Sequence, residues 1–455
     1  MSSYESFLET KAIRAIPTGI PNPAEPPAML FPFQRDIVKW ALRKGRAALF
    51  EDCGLGKSFQ QLAWADQIPG RVLILAPLAV AQQTVREGQK LGIDVTYARS
   101  SCDARITITN YEMLDHFNPD DYAGVVIDES SCIKAFDGKF RNQIIESFRD
   151  TPFKLACTAT PAPNDHMELG NHAEFFGILS RTEMLSTFFV HDGGDTSQWR
   201  LKGHAQADFW RWVCSWAVMI RKPSDLGYED GEFILPSLKM HSHVVEAQLV
   251  QDGALFALEA TTLQERQQAR KGTTQERCEA LAKIILANSD EQWIVWTNLN
   301  HEADSIQAIL PGSVQVAGSD SREFKEQAVI DFLSGKTRIL ISKPSIFGFG
   351  LNLQCCRNVA FLGLSDSYEQ FYQAVRRCWR FGQTQKVNCH IVTSDIEGAV
   401  VANIQRKEAD AARMAEEMVA HMREINTAEI HGSIRTNDSY EPRVEMRLPD
   451  WMVIA

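Results

Sequence analysis

Residues 51–58 read EDCGLGKS, and within them Gly54, Leu55, Gly56, Lys57 and Ser58 have the make-up of a phosphate-binding loop. Glycines let backbone N–H groups turn toward phosphate oxygens, a lysine ammonium neutralises the outer phosphates, and a serine hydroxyl at a helix N-terminus can ligate Mg²⁺. The full pattern GxxxxGKS/T asks for glycine where Glu51 stands, so only the shorter GxGKS form is met. Downstream, AGVVIDES (123–130) ends in Asp128 and Glu129. An aspartate there suits Mg²⁺ and a glutamate suits polarisation of an attacking water; the same pair would also serve as an acidic N-cap. Much later, SYEQFYQAVRRCWRFG carries Gln373, Arg376, Arg377 and Arg380. Read as a helix over 367–380, it puts Arg377 and Arg380 on one face, with Arg376 one position off it. Such guanidinium groups can stabilise charge on a transferring phosphoryl group, and equally suit solvent or nucleic-acid phosphates.

These groups need elements to hold them. RAALF (46–50) runs into the loop and FQQLAWA follows it, giving strand, loop and helix. Ahead lies LFPFQRDIVKWALRKG, where Phe33, Ile37, Trp40 and Ala41 share a helical face and Gly45 closes the helix. Gln34 opens it, either as a solvated first-turn residue or as a reader of an adenine edge. VLILAP (72–77) is a continuous apolar run, the pattern of a parallel strand covered on both faces. RITITNYEML, AGVVIDES and KLACTATPAPN (154–164) are further strands, the last closing the sheet. Thr158 and Thr160 stand at its end, where threonine is a simple strand former and can also couple a bound ligand to a partner. In open α/β sheets ligands sit at the carboxyl ends of strands, which brings the two acids to the loop.

The chain therefore divides into a Pro-rich lead-in (1–28), a first α/β lobe (29–164), an aromatic-rich helical insertion and linker (165–245), a second α/β lobe with preceding helices (246–400), and a C-terminal helix and tail (401–455). The long helix after residue 400 is expected to pack on the second lobe. The fold class is α/β, with two parallel-sheet lobes.

At 455 residues, with 44% hydrophobic and 23% charged content, the composition is that of a globular protein of several domains. A net charge of −11 argues against coating nucleic acid through a global basic field, so a polyanion would need a local track. The ten cysteines form no CxxC pair and several lie in apolar strands, which reads as buried thiols rather than disulfides or zinc ligands. The start of the chain lacks an apolar signal core and no apolar run reaches membrane-span length, so a cytoplasmic location is expected.

Taken together, order and spacing resemble the helicase superfamily 2 core, and within it the SNF2 family of DNA-dependent ATPases, over roughly residues 30–400. EDCGLGKS resembles the family's DEMGLGKT loop, VVIDESSCIK its VVDEAHRIKN box, and CTATPAPN its TGTPLQN box. WIVWTN, GFGLNL and QAVRRCWRFGQTQKV resemble LIFSQF, GGLGINL and QAIGRAHRIGQTKPV. The RxGQ ending, Arg380 to Gln383, points to SNF2 relatives rather than RNA-directed DEAD-box proteins.

The resemblance implies two RecA-like lobes with ATP and Mg²⁺ between them. Gln34 would read adenine, Lys57 and Ser58 would hold phosphate and Mg²⁺, Asp128 would hold Mg²⁺, and Glu129 would be the catalytic base. Arg377 and Arg380 would be arginine fingers and Gln373 a contact to γ-phosphate or water. Thr158, Thr160, Gly350 and Asn352 would couple the lobes, and Pro77, Asn110 and Tyr111 would track a DNA strand. The activity implied is that of an ATP-dependent DNA translocase or helicase, on duplex DNA by preference with single strands possible, in a minimal bacterial or bacteriophage member. A nucleic-acid-binding scaffold with an uncoupled ATPase, or an RNA helicase, are the alternatives. Three departures stand out: Ser131 replaces the His of the DEAH box, Arg376 stands where Gly is common, and Phe347 and Phe349 stand in a loop usually richer in glycine, either as a stacking surface for a base or as packing against the helix.

Overall fold

The computed structural model describes residues 14–133, 138–162, 165–192, 195–246, 271–347, 352–365, 367–395 and 398–431. The first lobe opens with helix α1 (Pro32–Lys44), started by proline at its first position and closed at Gly45, whose φ of 77° suits the helix end. Strands β1 (Arg46–Glu51), β2 (Val72–Ala76), β3 (Thr96–Tyr97), β4 (Ile106–Asn110), β5 (Gly124–Asp128) and β6 (Phe153–Thr158) alternate with helices α2 (Lys57–Gln67), α3 (Leu78–Leu91) and α4 (Lys139–Ser147). Helices α5 (Leu169–Phe176) and α6 (Arg181–Phe188), the antiparallel hairpin β7 (Phe189–Asp192) and β8 (Asp195–Leu201), helix α7 (Gln206–Cys214) and strand β9 (Ala217–Ile220) follow.

The first sheet is parallel with order β3-β4-β2-β5-β6-β1-β9. Neighbouring residues of one strand enter opposite cores. Leu49, Ile74 and Val126 pack with Ile37, Trp40 and Trp64 on one face, and Phe50, Leu75 and Val125 pack with Phe209, Trp212 and Trp216 on the other. That two-sided cover is why these strands read as unbroken apolar runs.

The segment 165–245 is not purely a helical insertion, and β6 does not close the sheet. β9 pairs with β1 in register Ala48↔Ala217, so the sheet ends on a strand from that segment. The run DFWRWVCSWAVMI has no glycine or proline to mark the change from helix to strand. It breaks where the Ser215 hydroxyl donates to the Trp212 carbonyl (2.6 Å), a side-chain bond that competes with helix continuation. The same segment ends in β10 (Leu238–Val245), an edge strand of the second sheet.

The second lobe continues with α8 (Thr274–Leu286), β11 (Trp293–Thr297), α9 (Asn300–Ile309), β12 (Val314–Val316), α10 (Arg322–Leu333), β13 (Ile339–Ser342), the single turn α11 (Pro344–Phe347), β14 (Asn358–Leu362), α12 (Tyr368–Val375) and β15 (Val387–Ser394). Its sheet is parallel, in the order β10-β15-β14-β11-β13-β12. Two doubly covered parallel sheets are the RecA-like α/β arrangement expected. Among the described residues, no helix is long and apolar enough to cross a membrane.

Helix α13 (Gly398–Ile430) overturns one expectation. Val400 and Ile404 enter the second lobe's core, but Met418, Val419 and Met422 are buried in the aromatic core of the first lobe. Its end is held there by Trp40 Nε1 donating to Glu429 Oε2 (3.0 Å) and by the Lys44–Glu429 pair (2.8 Å). Thirty-three residues of helix extend about 50 Å, more than the width of a single lobe, so the helix spans both.

Candidate active site between the lobes

β1 is buried and delivers Asp52 to a loop that turns at Gly54 (φ 93°) and Gly56 (φ 84°) before α2 begins at Lys57. Both glycines are required by close approach as well as by φ. A Cβ on Gly56 would lie 2.3 Å from Gln34 Nε2, and one on Gly54 would lie 2.9 Å from the Phe381 nitrogen of the second lobe. Lys57 Nζ donates to the carbonyls of Glu51 (2.7 Å) and Asp52 (3.2 Å), which keeps the ammonium against the loop. Gln34 is buried; its Nε2 donates to Leu55 O (2.7 Å) and its Oε1 accepts from Phe31 N (2.9 Å), so it braces the loop as well as facing the cavity.

Asp128 ends β5, and its Oδ1 accepts from Gln61 Nε2 (2.7 Å) on α2, tying the acid strand to the loop helix. The next residue, Glu129, has φ 54° and is the one non-glycine residue with positive φ among those described. A left-handed glutamate costs about 1–2 kcal/mol, and such strain persists where surrounding structure fixes it, commonly at functional sites. Burial, and then the Asp128 charge, push the Glu129 carboxyl up to about 7; burial likewise raises Asp128. Glu129 Oε2 is buried with no hydrogen-bond partner.

From the second lobe come Asn352, Gln354, Arg376, Arg377, Arg380 and Phe381, which with Gln34, Gly54, Gly56, Lys57, Ser58, Asp128 and Glu129 line one cavity of about 410 Å³. Residues more than three hundred positions apart thus share a site. The arginines are not on a helix face as expected: α12 stops at Val375, and Arg376 to Arg380 follow in turns. A turn rather than a helix lets Arg376, Arg377 and Arg380 all reach the cavity. Burial lowers both finger candidates, Arg380 to about 10 with Arg377 beside it. Gln373 is fully buried outside the cavity lining, where its Oε1 accepts from Arg377 Nη2 (3.0 Å) and its Nε2 has no partner.

Other anticipated residues lie around this centre. Thr158 is buried with its Oγ1 accepting from Thr160 N (3.1 Å), and Thr160 Oγ1 has no partner. Asn352 lines the cavity with Oδ1 unpartnered; Gly350 lies outside the described residues. Pro77 is partly exposed ahead of α3 and Asn110 is buried. The Tyr111 hydroxyl donates to the Asp128 carbonyl and its ring packs on Phe140 (5.4 Å), so this tyrosine braces the acid strand.

Several lining residues carry no sequence signal. Phe31, Phe233 and Phe381 meet at 4.7–6.0 Å between centroids and wall the cavity with rings from distant segments. Glu87, inside α3, also lines it; burial raises its carboxyl, while hydrogen bonds from Gln83 and Ser58 and the charge of Arg380 oppose that shift. Asp52 pairs with Arg376 and accepts from the Tyr372 hydroxyl, and Ser131 Oγ donates to Glu369 Oε1 (2.7 Å), both across the lobes.

The model for the helicase conserved C-terminal domain matches residues 276–382. The chain is similar to the SWI/SNF-related matrix-associated actin-dependent regulator of chromatin subfamily A-like protein 1 of Xenopus tropicalis, 23% identical over 413 residues, covering 80% of this chain and 42% of the relative. It is also similar to the DNA annealing helicase and endonuclease ZRANB3 of Mus musculus, 22% identical over 438 residues, 83% of this chain and 40% of the relative. It thus spans about two fifths of the length of these relatives.

Proposed function

We propose that this chain, an SNF2-family member of helicase superfamily 2, is an ATP-driven DNA translocase whose hydrolytic centre is the cavity between its lobes. The observation that carries the proposal is the two-sided lining: a phosphate loop and two carboxylates from one lobe face Arg377 and Arg380 from the other. In this reading the triphosphate enters the loop at Gly54–Ser58 and Lys57 leaves the Glu51 and Asp52 carbonyls to neutralise it. Glu129 holds the attacking water and takes its proton, and Arg377 and Arg380 meet the charge that develops on the γ-phosphoryl group. Gln373 aims Arg377. The aromatic wall of Phe31, Phe233 and Phe381 suits a purine ring beside Gln34.

The donor set fits Mg²⁺. Among the described residues no group of three or more His, Cys, Asp or Glu side chains could hold a metal by itself, so the ion would rest on Ser58 and Asp128 and take its other ligands from phosphate and water. When bound it would neutralise phosphate charge. The unpartnered Glu129 Oε2, Asn352 Oδ1 and Arg380 Nε support a polar ligand, because buried polar atoms are rarely left unpaired.

Duplex DNA is the proposed track, since the relatives include a DNA annealing helicase. The test is phosphate release with no polymer, duplex DNA, single-stranded DNA and RNA. Stimulation by DNA, strongest for duplex, is expected. Stimulation by RNA alone, or wild-type turnover by Lys57→Ala, would refute the reading.

A further inference from the structure

Two of the departures from the SNF2 pattern, Arg376 and Ser131, are contacts between the lobes. The Arg376 side chain is 4% exposed, ion-paired with Asp52, and lies over the rings of Tyr372 (5.4 Å) and Trp379 (4.8 Å). Asp52 also accepts from the Tyr372 hydroxyl, and its Oδ1 accepts from Cys53 N (2.7 Å). Trp379 is held in turn by donating to Pro236 O (2.6 Å). On the same helix Glu369 accepts from Ser131 at 2.7 Å. Glu369, Tyr372 and Arg376 follow one another at helical intervals, so one stripe of α12 and its end grips the first lobe at two points. One grip lies just after Glu129 and the other just before Gly54. A glycine at position 376 would leave Asp52, whose side chain is only 19% exposed, without its ion-pair partner, and a charge held largely out of water without its partner is destabilising.

We propose that Arg376 is a positioning residue: its pair with Asp52, aided by Ser131–Glu369, docks the second lobe on the phosphate loop before nucleotide or DNA arrives and so sets Arg377 in place. This rests on the reading of the cavity as an ATPase centre. Where docking is built in, DNA has less left to organise. Hydrolysis without polymer should therefore be appreciable and DNA stimulation modest.

The test uses the full chain with Arg376→Gly, Asp52→Asn and the exchange Asp52→Arg with Arg376→Asp, plus Tyr372→Phe as a milder change. Each single variant at 52 or 376 should lower polymer-free kcat about tenfold, a typical size for coupling between sites, with KM for ATP little changed. Duplex DNA should restore most of the loss, the exchange should recover part of it, and small-angle scattering without nucleotide should show the single variants more extended. Unchanged polymer-free rates together with unchanged compactness would overturn the proposal. So would a loss that DNA does not repair, since Arg376 would then act on the reacting phosphate itself. If the wild-type chain hydrolyses no ATP, the ATPase reading fails, and scattering still decides whether Asp52 and Arg376 hold the lobes together.

Discussion

Replacing Glu129 by Gln should make the protein inactive and, at alkaline pH, more stable. The carboxyl is raised from 4.5 to about 7 by burial and by Asp128, and that difference corresponds to about 3 kcal/mol. Asp128 shares the titration, so about 2 kcal/mol is the expected share of Glu129. The sign follows from proton uptake. A folded-state value above the unfolded one means that the folded chain binds the extra proton, so the contribution favours folding below pH 4.5 and is lost as pH rises through 7. Wild type therefore carries the full cost of an ionised, buried Glu129 at pH 8 and little of it at pH 5. Glutamine removes that charge and keeps the shape. Urea midpoints without nucleotide should put Glu129→Gln about 2 kcal/mol above wild type at pH 8 and level with it at pH 5. Glu129→Gly should gain roughly another 1 kcal/mol at both pH values by releasing the left-handed strain at φ 54°. Loss of a general base should lower kcat by about 10²–10⁴-fold in both variants, and wild-type kcat/KM should fall on the acid side of about pH 7. A Glu129→Gln chain that is less stable than wild type at pH 8, or that turns over normally, would refute the assignment.

Lys57→Ala should abolish phosphate release, whereas Arg377→Ala should lower kcat while a fluorescent nucleotide still binds, as titration would show. Gly54→Ala forces a φ of 93° on alanine and sets its Cβ 2.9 Å from Phe381 N, so about 1–2 kcal/mol of strain falls on the contact between loop and second lobe; steady-state kinetics should show lower kcat and raised KM. His172, buried against Ser130 Oγ (3.0 Å), is pushed down to about 4 by burial. Its neutral form contributes stability above about pH 6.5 that is lost as pH falls toward 4, at about 1.4 kcal/mol per unit. Denaturant midpoints at pH 7 and pH 5 should show that slope, and His172→Gln should flatten it.

The two sheets were legible because parallel strands covered on both faces read as apolar runs, as VLILA and WIVWT do. β9 was not, since four residues joined to a helix without a turn residue carry no periodicity of their own. β10 escaped for the opposite reason. As an edge strand its residues alternate between half-buried and exposed, and LKMHSHVV has polar groups on both faces. At the site, Lys57, Asp128 and Glu129 stand in local sequence patterns that mark them as candidates, and all three line the cavity. Glu87 is an ordinary helical glutamate by sequence, and Asp52 finds Arg376 only through the docking of two separately folded sheets.

The docking gives α13 a mechanical meaning that amphipathic spacing alone does not convey. Its first turns are buried in the second lobe and its last in the first, while among residues 405–417 none is buried. Rotation of one lobe against the other must therefore bend or twist that less buried middle span, or pull one end out of its core. Extracting the Met418–Met422 end would expose side chains that cost about 2–5 kcal/mol each when truncated to alanine, and would also break the bonds of Glu429 to Trp40 and Lys44 on α1. Bending the half-buried middle stretch costs less than extraction, because it leaves both buried ends in place. Since α1 also carries Gln34, which braces the Gly54–Ser58 loop through Leu55, α13 is joined through α1 to the loop proposed to receive the phosphates. Under the proposed function, α13 and the Asp52–Arg376 pair are thus two separate links between the lobes, both leading to the Gly54–Ser58 loop.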